Sequence, residues 1–260
     1  MDGQMTNRPR LILILFGILP SLGAVYRSDN FQVEAPSSEI ARQLGEAAEK
    51  CRKQQALAWL EKELPPWPQP CPIKVKIALD GRGGRSTFTF DKGKVTSRSI
   101  IMEGSLETLR TSVLPHEIAH TILADYFGRP LPRWADEGAA IVSGCPADRR
   151  WYTKLCHEVA DTPGRCMLLR RLLSCRDYPD DVTALYAQSY SLVKFLVDSK
   201  GRQAFLAFVA QGMQDDDWDE AVRAHYDFHS VEQLELAWLR KQKEILLATP
   251  LHQRESRKED

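Results

Sequence analysis

The chain changes its hydrophobic period twice. From Glu39 the apolar positions Ile40, Leu44, Ala47, Ala48, Cys51, Leu57, Leu60 and Leu64 recur at helical spacing, and Ser37-Ser38 stand where a serine caps a helix. Proline at 65, 66, 68, 70 and 72 ends that run, because proline lacks the amide donor and clashes with the preceding turn. Ile73–Leu79 then alternates apolar with polar, as does Thr87–Phe90, and Lys94–Met102 is rich in β-branched residues. Three short strands joined by glycine-containing turns predict a small antiparallel sheet over 73–102. Beyond Ser105 the pattern is helical again. The expected fold class is α+β, a small antiparallel sheet followed by a mainly helical part.

The first residues follow a different logic. Arg8 and Arg10 precede the uncharged run Leu11–Leu19, which a helix breaker (Pro20) and small residues follow. This is the pattern of a secretory signal, with cleavage expected after Ala24. The alternative is an uncleaved segment that anchors the protein in the membrane, although the apolar run falls short of the roughly 20 residues a spanning helix needs. The predicted organisation is a signal peptide (1–24), an N-terminal helix with a proline-rich linker (25–72), a main domain (73–247) and a disordered charged tail (248–260). Within the main domain the sheet takes 73–102, site-bearing helices 105–144, and further helices 150–247.

Composition narrows the class of function. Of 260 residues 43% are hydrophobic, and 35 basic residues balance 35 acidic ones. A formal charge of zero offers no basic field to displace counterions, so a nucleic-acid partner is not expected. The six cysteines, at 51, 71, 145, 156, 166 and 175, form no CxxC pair. In an exported chain an even count reads as up to three disulfides. The glycine-rich stretch Asp80–Arg85 leads into a strand, not a helix, so it reads as a hairpin turn and not as a phosphate cradle.

The chemistry lies in Leu114-Pro115-His116-Glu117-Ile118-Ala119-His120. Two histidines four apart stand one turn above another on one helix face, where both imidazoles can reach a single zinc ion. Glu117 lies about 100° round the helix from His116, within reach of a water at that ion. Leu114, Ile118 and Ile122 give the helix an apolar back. A third ligand is needed. The metzincin pattern would place Gly at 123 and His at 126, where the chain has Leu123 and Tyr126. Downstream, Pro132 suits a helix start and Gly144 a stop. Glu137 between them can offer a carboxylate oxygen, while Gly138 permits close helix approach. The competing reading of Asp136-Glu137 is acidic residues placed near a helix N-terminus. Asp136 is also a possible hydrogen-bond partner for a ligand histidine.

HExxH followed by Trp134-Ala135-Asp136-Glu137-Gly138-Ala139 resembles the gluzincin metallopeptidases, in particular the peptidase MA-like domain. The resemblance implies a zincin-like fold. It also implies one zinc ion held by His116, His120 and Glu137, with Glu117 working on water. Tyr186–Leu196 is similar to the tyrosine-bearing helix of aminopeptidase-type gluzincins, which makes Tyr186 the expected oxyanion partner. Ser189 stands where those enzymes usually carry glycine, and Tyr190, one turn on, is the rival tyrosine. The implied activity is hydrolysis of peptide bonds in a peptide or protein substrate. The alternative is an exported binding module that keeps the fold without turnover. An extended substrate is expected beside the strand at 95–102. Substrate identity and oligomeric state are not encoded.

Overall fold

The computed structural model describes residues 23–248. The expected leader and tail therefore lie almost wholly outside the described residues; Ala24, the expected cleavage point, opens the first strand. Strands β1 (Ala24–Arg27) and β2 (Phe31–Ala35) come first, then helix α1 (Ser38–Leu60), β3 (Cys71–Ile77), β4 (Gly83–Asp91) and β5 (Lys94–Gly104). Helices α2 (Leu106–Thr108), α3 (Leu114–Phe127), α4 (Arg133–Ser143), α5 (Pro146–Asp161), α6 (Leu169–Leu173), α7 (Val182–Asp215), α8 (Trp218–His225) and α9 (Val231–Ala248) follow. Among the described residues no helix is long and apolar enough to cross a membrane.

The α+β division holds, but the sheet is mixed where an antiparallel one was expected. Its order is β1-β2-β3-β5-β4. The β4–β5 hairpin and the β1–β2 pair are antiparallel, whereas β3 runs parallel to both β2 and β5. Helix α1 supplies the long crossover that a parallel β2–β3 pair requires. β4 reaches the edge so that β5 can insert beside β3. The strands at 24–35 were absent from the sequence reading, and they place the expected boundary at 72/73 inside one sheet. The signal was there: Phe31-Gln32-Val33-Glu34-Ala35 alternates, with Phe31, Val33 and Ala35 buried.

One face of the sheet carries the core. Phe31, Val33, Ile73, Ile100 and Met102 are buried beneath α1 and α3, while Lys74, Lys76 and Ile101 on the alternate positions are not. Ser37 caps α1 as expected, its side chain accepting the Ile40 amide hydrogen. Between α2 and α3 the helix widens into a π turn over Leu109–Val113, closed by the Leu114 amide donating to the Leu109 carbonyl. Pro115 follows directly. Its ring cannot tolerate an ordinary preceding turn, and a π turn there relieves the conflict while keeping the axis continuous. Helix α4 packs on α7, which kinks at Gly201, where φ is 83° and ψ is 173°.

The disulfide expectation is not met: all six cysteines are free thiols. Each sulfur makes a hydrogen bond of its own. The Cys145 sulfur caps α5 at the Asp148 amide, and the Cys156 thiol donates to the Ala187 carbonyl at 2.8 Å. Burial pushes the thiol of Cys51 up to about 11 and those of Cys71 and Cys156 to about 12, so these side chains stay protonated and inert at neutral pH.

Candidate metal centre

Helix α3 is anchored by its apolar side and offers its polar side to α4. Leu114, Ile118, Ile122 and Leu123 are fully buried in the core. On the other side the rings of His116 and His120, one helical turn apart, converge until their Nε2 atoms are 3.1 Å from one another. Helix α4 is held in place by Trp134, which is buried among Phe205, Phe208 and Trp218 and donates its indole hydrogen to the Leu173 carbonyl. At Gly138 the approach to α7 is so close that a Cβ would overlap the Ser189 carbonyl oxygen. Glycine there lets α4 sit deep enough to bring Glu137 over α3.

Glu137 Oε2 lies 3.4 Å from His116 Nε2 and 3.7 Å from His120 Nε2. Three donors around a tetrahedral zinc ion with bonds of about 2.0–2.1 Å stand about 3.3–3.4 Å apart. The observed triangle of 3.1, 3.4 and 3.7 Å brackets that value, so the donor set fits such an ion. Among the described residues these three form the group whose ligand atoms all lie within 4.8 Å of one another. The other Glu137 oxygen accepts the Tyr178 hydroxyl at 2.5 Å, leaving Oε2 to face the histidines.

The supporting shell fixes protons. The His120 Nδ1–H donates to Asp136 Oδ1 at 2.6 Å, which turns Nε2 towards the centre. Burial opposes a charge on His120, but Asp136, Glu137 and Glu117 outweigh it and raise the pKa to about 10. Burial likewise opposes a charge on Glu137, yet hydrogen bonding to His116 and the nearby histidines lower its pKa to about 2. The pocket is built for positive charge. Among the described residues no lysine or arginine bridges Glu117, Asp136 or Glu137; the ion pairs they make are with the two histidines.

Glu117 sits beside the triangle, 3% exposed, with Oε2 accepting the Ser86 hydroxyl at 2.6 Å. A Cβ on Gly84 would overlap its other oxygen. Strand β4 therefore meets α3 through Gly84 and Ser86, so the glycine-rich stretch set aside as a turn supplies part of the site. Paired glycines opening a strand were the available signal, since they mark a close backbone approach.

A cavity of about 260 Å³ opens on His116 and Glu117 and is lined also by Gly84, Tyr152 and Tyr186. Burial first, and Glu137 next, push the Tyr186 hydroxyl up to about 12, which keeps it a donor. Tyr190 does not join it. Its ring packs on Tyr152, its hydroxyl meets Thr153 at 3.2 Å, and it lines a different cavity. Sequence reasoning missed Gly84 and Ser86 on β4, Tyr152 on α5 and Tyr178 in the segment before α7.

The sequence model of the Peptidase MA superfamily matches residues 96–243, more than half of the chain. The chain belongs to the peptidase MA superfamily. Its matched span runs from β5 into α9 and includes both histidines, Glu117 and Glu137. The β4 residues that face Glu117 lie outside this peptidase MA span. Comparison with curated proteins finds no match.

Proposed function

We propose that this protein is a zinc-dependent peptidase in which His116, His120 and Glu137 hold the ion and Glu117 is the general base. The observation that carries the reading is the triangle of donor atoms beside a buried carboxylate that opens on a cavity. Zinc held there supplies Lewis acidity, polarising a carbonyl and acidifying water. Glu117 accepts the proton of the attacking water and returns it to the departing amine. Ser86 holds Glu117 Oε2, which fixes the carboxylate in the plane it needs for that transfer. Tyr186, a protonated hydroxyl on the cavity wall, donates to the oxyanion of the tetrahedral intermediate. Tyr178 is engaged with Glu137 and orients it.

The substrate is an extended peptide. β5 is paired on both sides, so the edge beside the centre is β4, and backbone hydrogen bonds to β4 replace the expected docking beside 95–102. The N-terminal pattern extends the proposal to an exported enzyme.

Metal analysis and cleavage of a mixed peptide pool test the reading together. The protein is expected to carry one zinc per chain and to cleave. Glu117→Gln keeps the zinc and loses cleavage by about 10²-fold or more. Hydrolysis that survives Glu117→Gln undamaged overturns the mechanism. A protein that binds zinc but cleaves nothing in the pool is the binding module instead.

A further inference from the structure

A second cavity of about 310 Å³ adjoins the first, sharing Gly144 as a wall. It lies where α1, the π turn, α4 and α5 meet the kink of α7, and its lining includes Cys51, Trp59, Pro115, Arg149 and Arg202. Two of these are arginines and none of the lining residues is Asp or Glu. The first cavity, which opens on His116 and Glu117, meets this one at Gly144.

The arginines of the two cavities differ in their partners. Arg82, which lines the first cavity, is neutralised by Asp148 at 2.6 Å. Arg149 and Arg202 form no ion pair among the described residues, and the Arg202 Nε is buried with no hydrogen-bond partner. Arg202 stacks over Trp59, 5.2 Å from the ring centroid, and Gln203 beside it donates to the Trp59 carbonyl at 2.8 Å. Burial and the nearby Arg149 both push the Arg202 pKa down. A guanidinium nonetheless keeps its charge at any ordinary pH. Two like charges thus face one cavity whose lining offers no carboxylate to neutralise them.

We propose that this cavity is an anion subsite that takes a carboxylate of the peptide lying across the metal centre, on the reading given above. The guanidinium forks of Arg149 and Arg202 match a carboxylate's two oxygens, and the apolar surfaces of Ala58 and Pro115 take the carbons that carry it. The carboxylate comes from an acidic side chain flanking the cleaved bond or from the peptide's C-terminus.

The test uses the full chain carrying Glu117→Gln, loaded with zinc, so that binding is read without turnover. The probes are acetylated alanine-rich hexapeptides with one Phe–Leu bond, bearing Glu or Gln at each flanking position in turn, with free or amidated C-termini. Calorimetric titration is expected to show at least about tenfold tighter binding for one Glu peptide over its Gln twin, or for free acids over amides, the pair that differs naming the source. Adding Arg149→Gln and Arg202→Gln, singly and together, is expected to remove the preference while binding of the neutral peptide stays within about twofold. Equal binding of every charged and neutral pair overturns the proposal without any variant, and so does a preference that survives the double variant with an unchanged circular dichroism spectrum. Failure of the wild type to cleave any of the same peptides strikes at the peptidase reading alone, because the binding arms do not depend on it.

Discussion

Helix α3 carries a buried polar cluster at each end, and the two are built on opposite plans. At the far end Asp125 receives Arg98 at 2.7 Å and the Trp67 indole hydrogen at 2.6 Å. Arg98 and Arg52 lie over the Trp67 ring at 4.2 and 4.4 Å, and Arg52 donates to the carbonyl of Pro65. This cluster closes on itself, with its carboxylate satisfied by a cation and a neutral donor. At the near end His116, His120, Glu117, Asp136 and Glu137 gather three carboxylates with no lysine or arginine bridge among the described residues, and His116 and Glu117 face a cavity. A closed cluster ties β5 and the proline-rich segment to α3. An open one presents donors whose charge and spacing suit a cation.

Removing one acid from each end is the strongest way to break that contrast. Asp125→Ala leaves Arg98 and the Trp67 indole without their acceptor in a buried place, a loss of about 3–5 kcal/mol. At about 2–4 °C per kcal/mol for a chain of this size the melting temperature falls by about 10 °C. Zinc content of the folded protein is expected to stay the same. Glu137→Ala should do the reverse, abolishing stoichiometric zinc with a smaller effect on the metal-free melting temperature. Calorimetry and metal analysis on both variants decide it. If Asp125→Ala melts like the wild type, the far cluster is not the structural one.

A subtler break moves a group without removing it. Gly84→Ala places a methyl on Glu117 Oε1 and on the Val113 side chain. Displacing a reacting group by about 1 Å costs about 10² in rate. The expected outcome is kcat/KM down by that order with zinc still bound, since the three ligands do not touch residue 84. Lost zinc would show that β4 supports the ligands and not only the base.

The contrast sharpens at Asp136, which is held by the same kind of bond that closes the far cluster but serves a ligand. Asp136→Asn keeps the shape and removes the charge behind His120. Such partners are worth about 10–100-fold in metal affinity. Competition with a chromogenic chelator measures it, and an unchanged affinity would make the His120–Asp136 bond a packing contact only.

What could be read in the sequence follows from distance along the chain. His116, Glu117 and His120 were readable because helix geometry alone fixes residues four apart, whereas Glu137 was assigned only through the resemblance of Trp134–Ala139 to the gluzincin pattern. Ser86 and Tyr178 were not, since no local period says that β4 will cross Glu117 or that the segment before α7 will reach Glu137. The strand residues at 73–102 were visible as alternation, yet alternation names a face and not a neighbour, so the parallel pairing of β3 escaped. The cysteine count implied cross-links, whereas all six thiols are free and each makes a hydrogen bond of its own. Tyr190 had the right residue type one turn from Tyr186, and packing on Tyr152 and Thr153 took it elsewhere.

The smallest expected effect lies between the two plans, at the Arg82–Asp148 pair on the rim of the first cavity. Arg82 is 45% exposed, so the pair is screened and contributes under about 1 kcal/mol. Burial opposes the charge on Asp148, but hydrogen bonds from Ser112, Arg82 and Cys145 together hold its pKa below the usual value. A carboxyl depressed in the folded state stabilises the protein fully above its unfolded pKa of about 3.9, and that contribution drains away as pH falls through the folded value. Arg82→Met should therefore lower stability slightly at pH 7, with the difference shrinking towards zero as the solution is acidified below pH 3. Urea denaturation at both ends of that range reads the change. A gap between variant and wild type that persists in acid would mean that Arg82 acts through the packing of its carbon chain against the cavity rim, independent of the Asp148 charge.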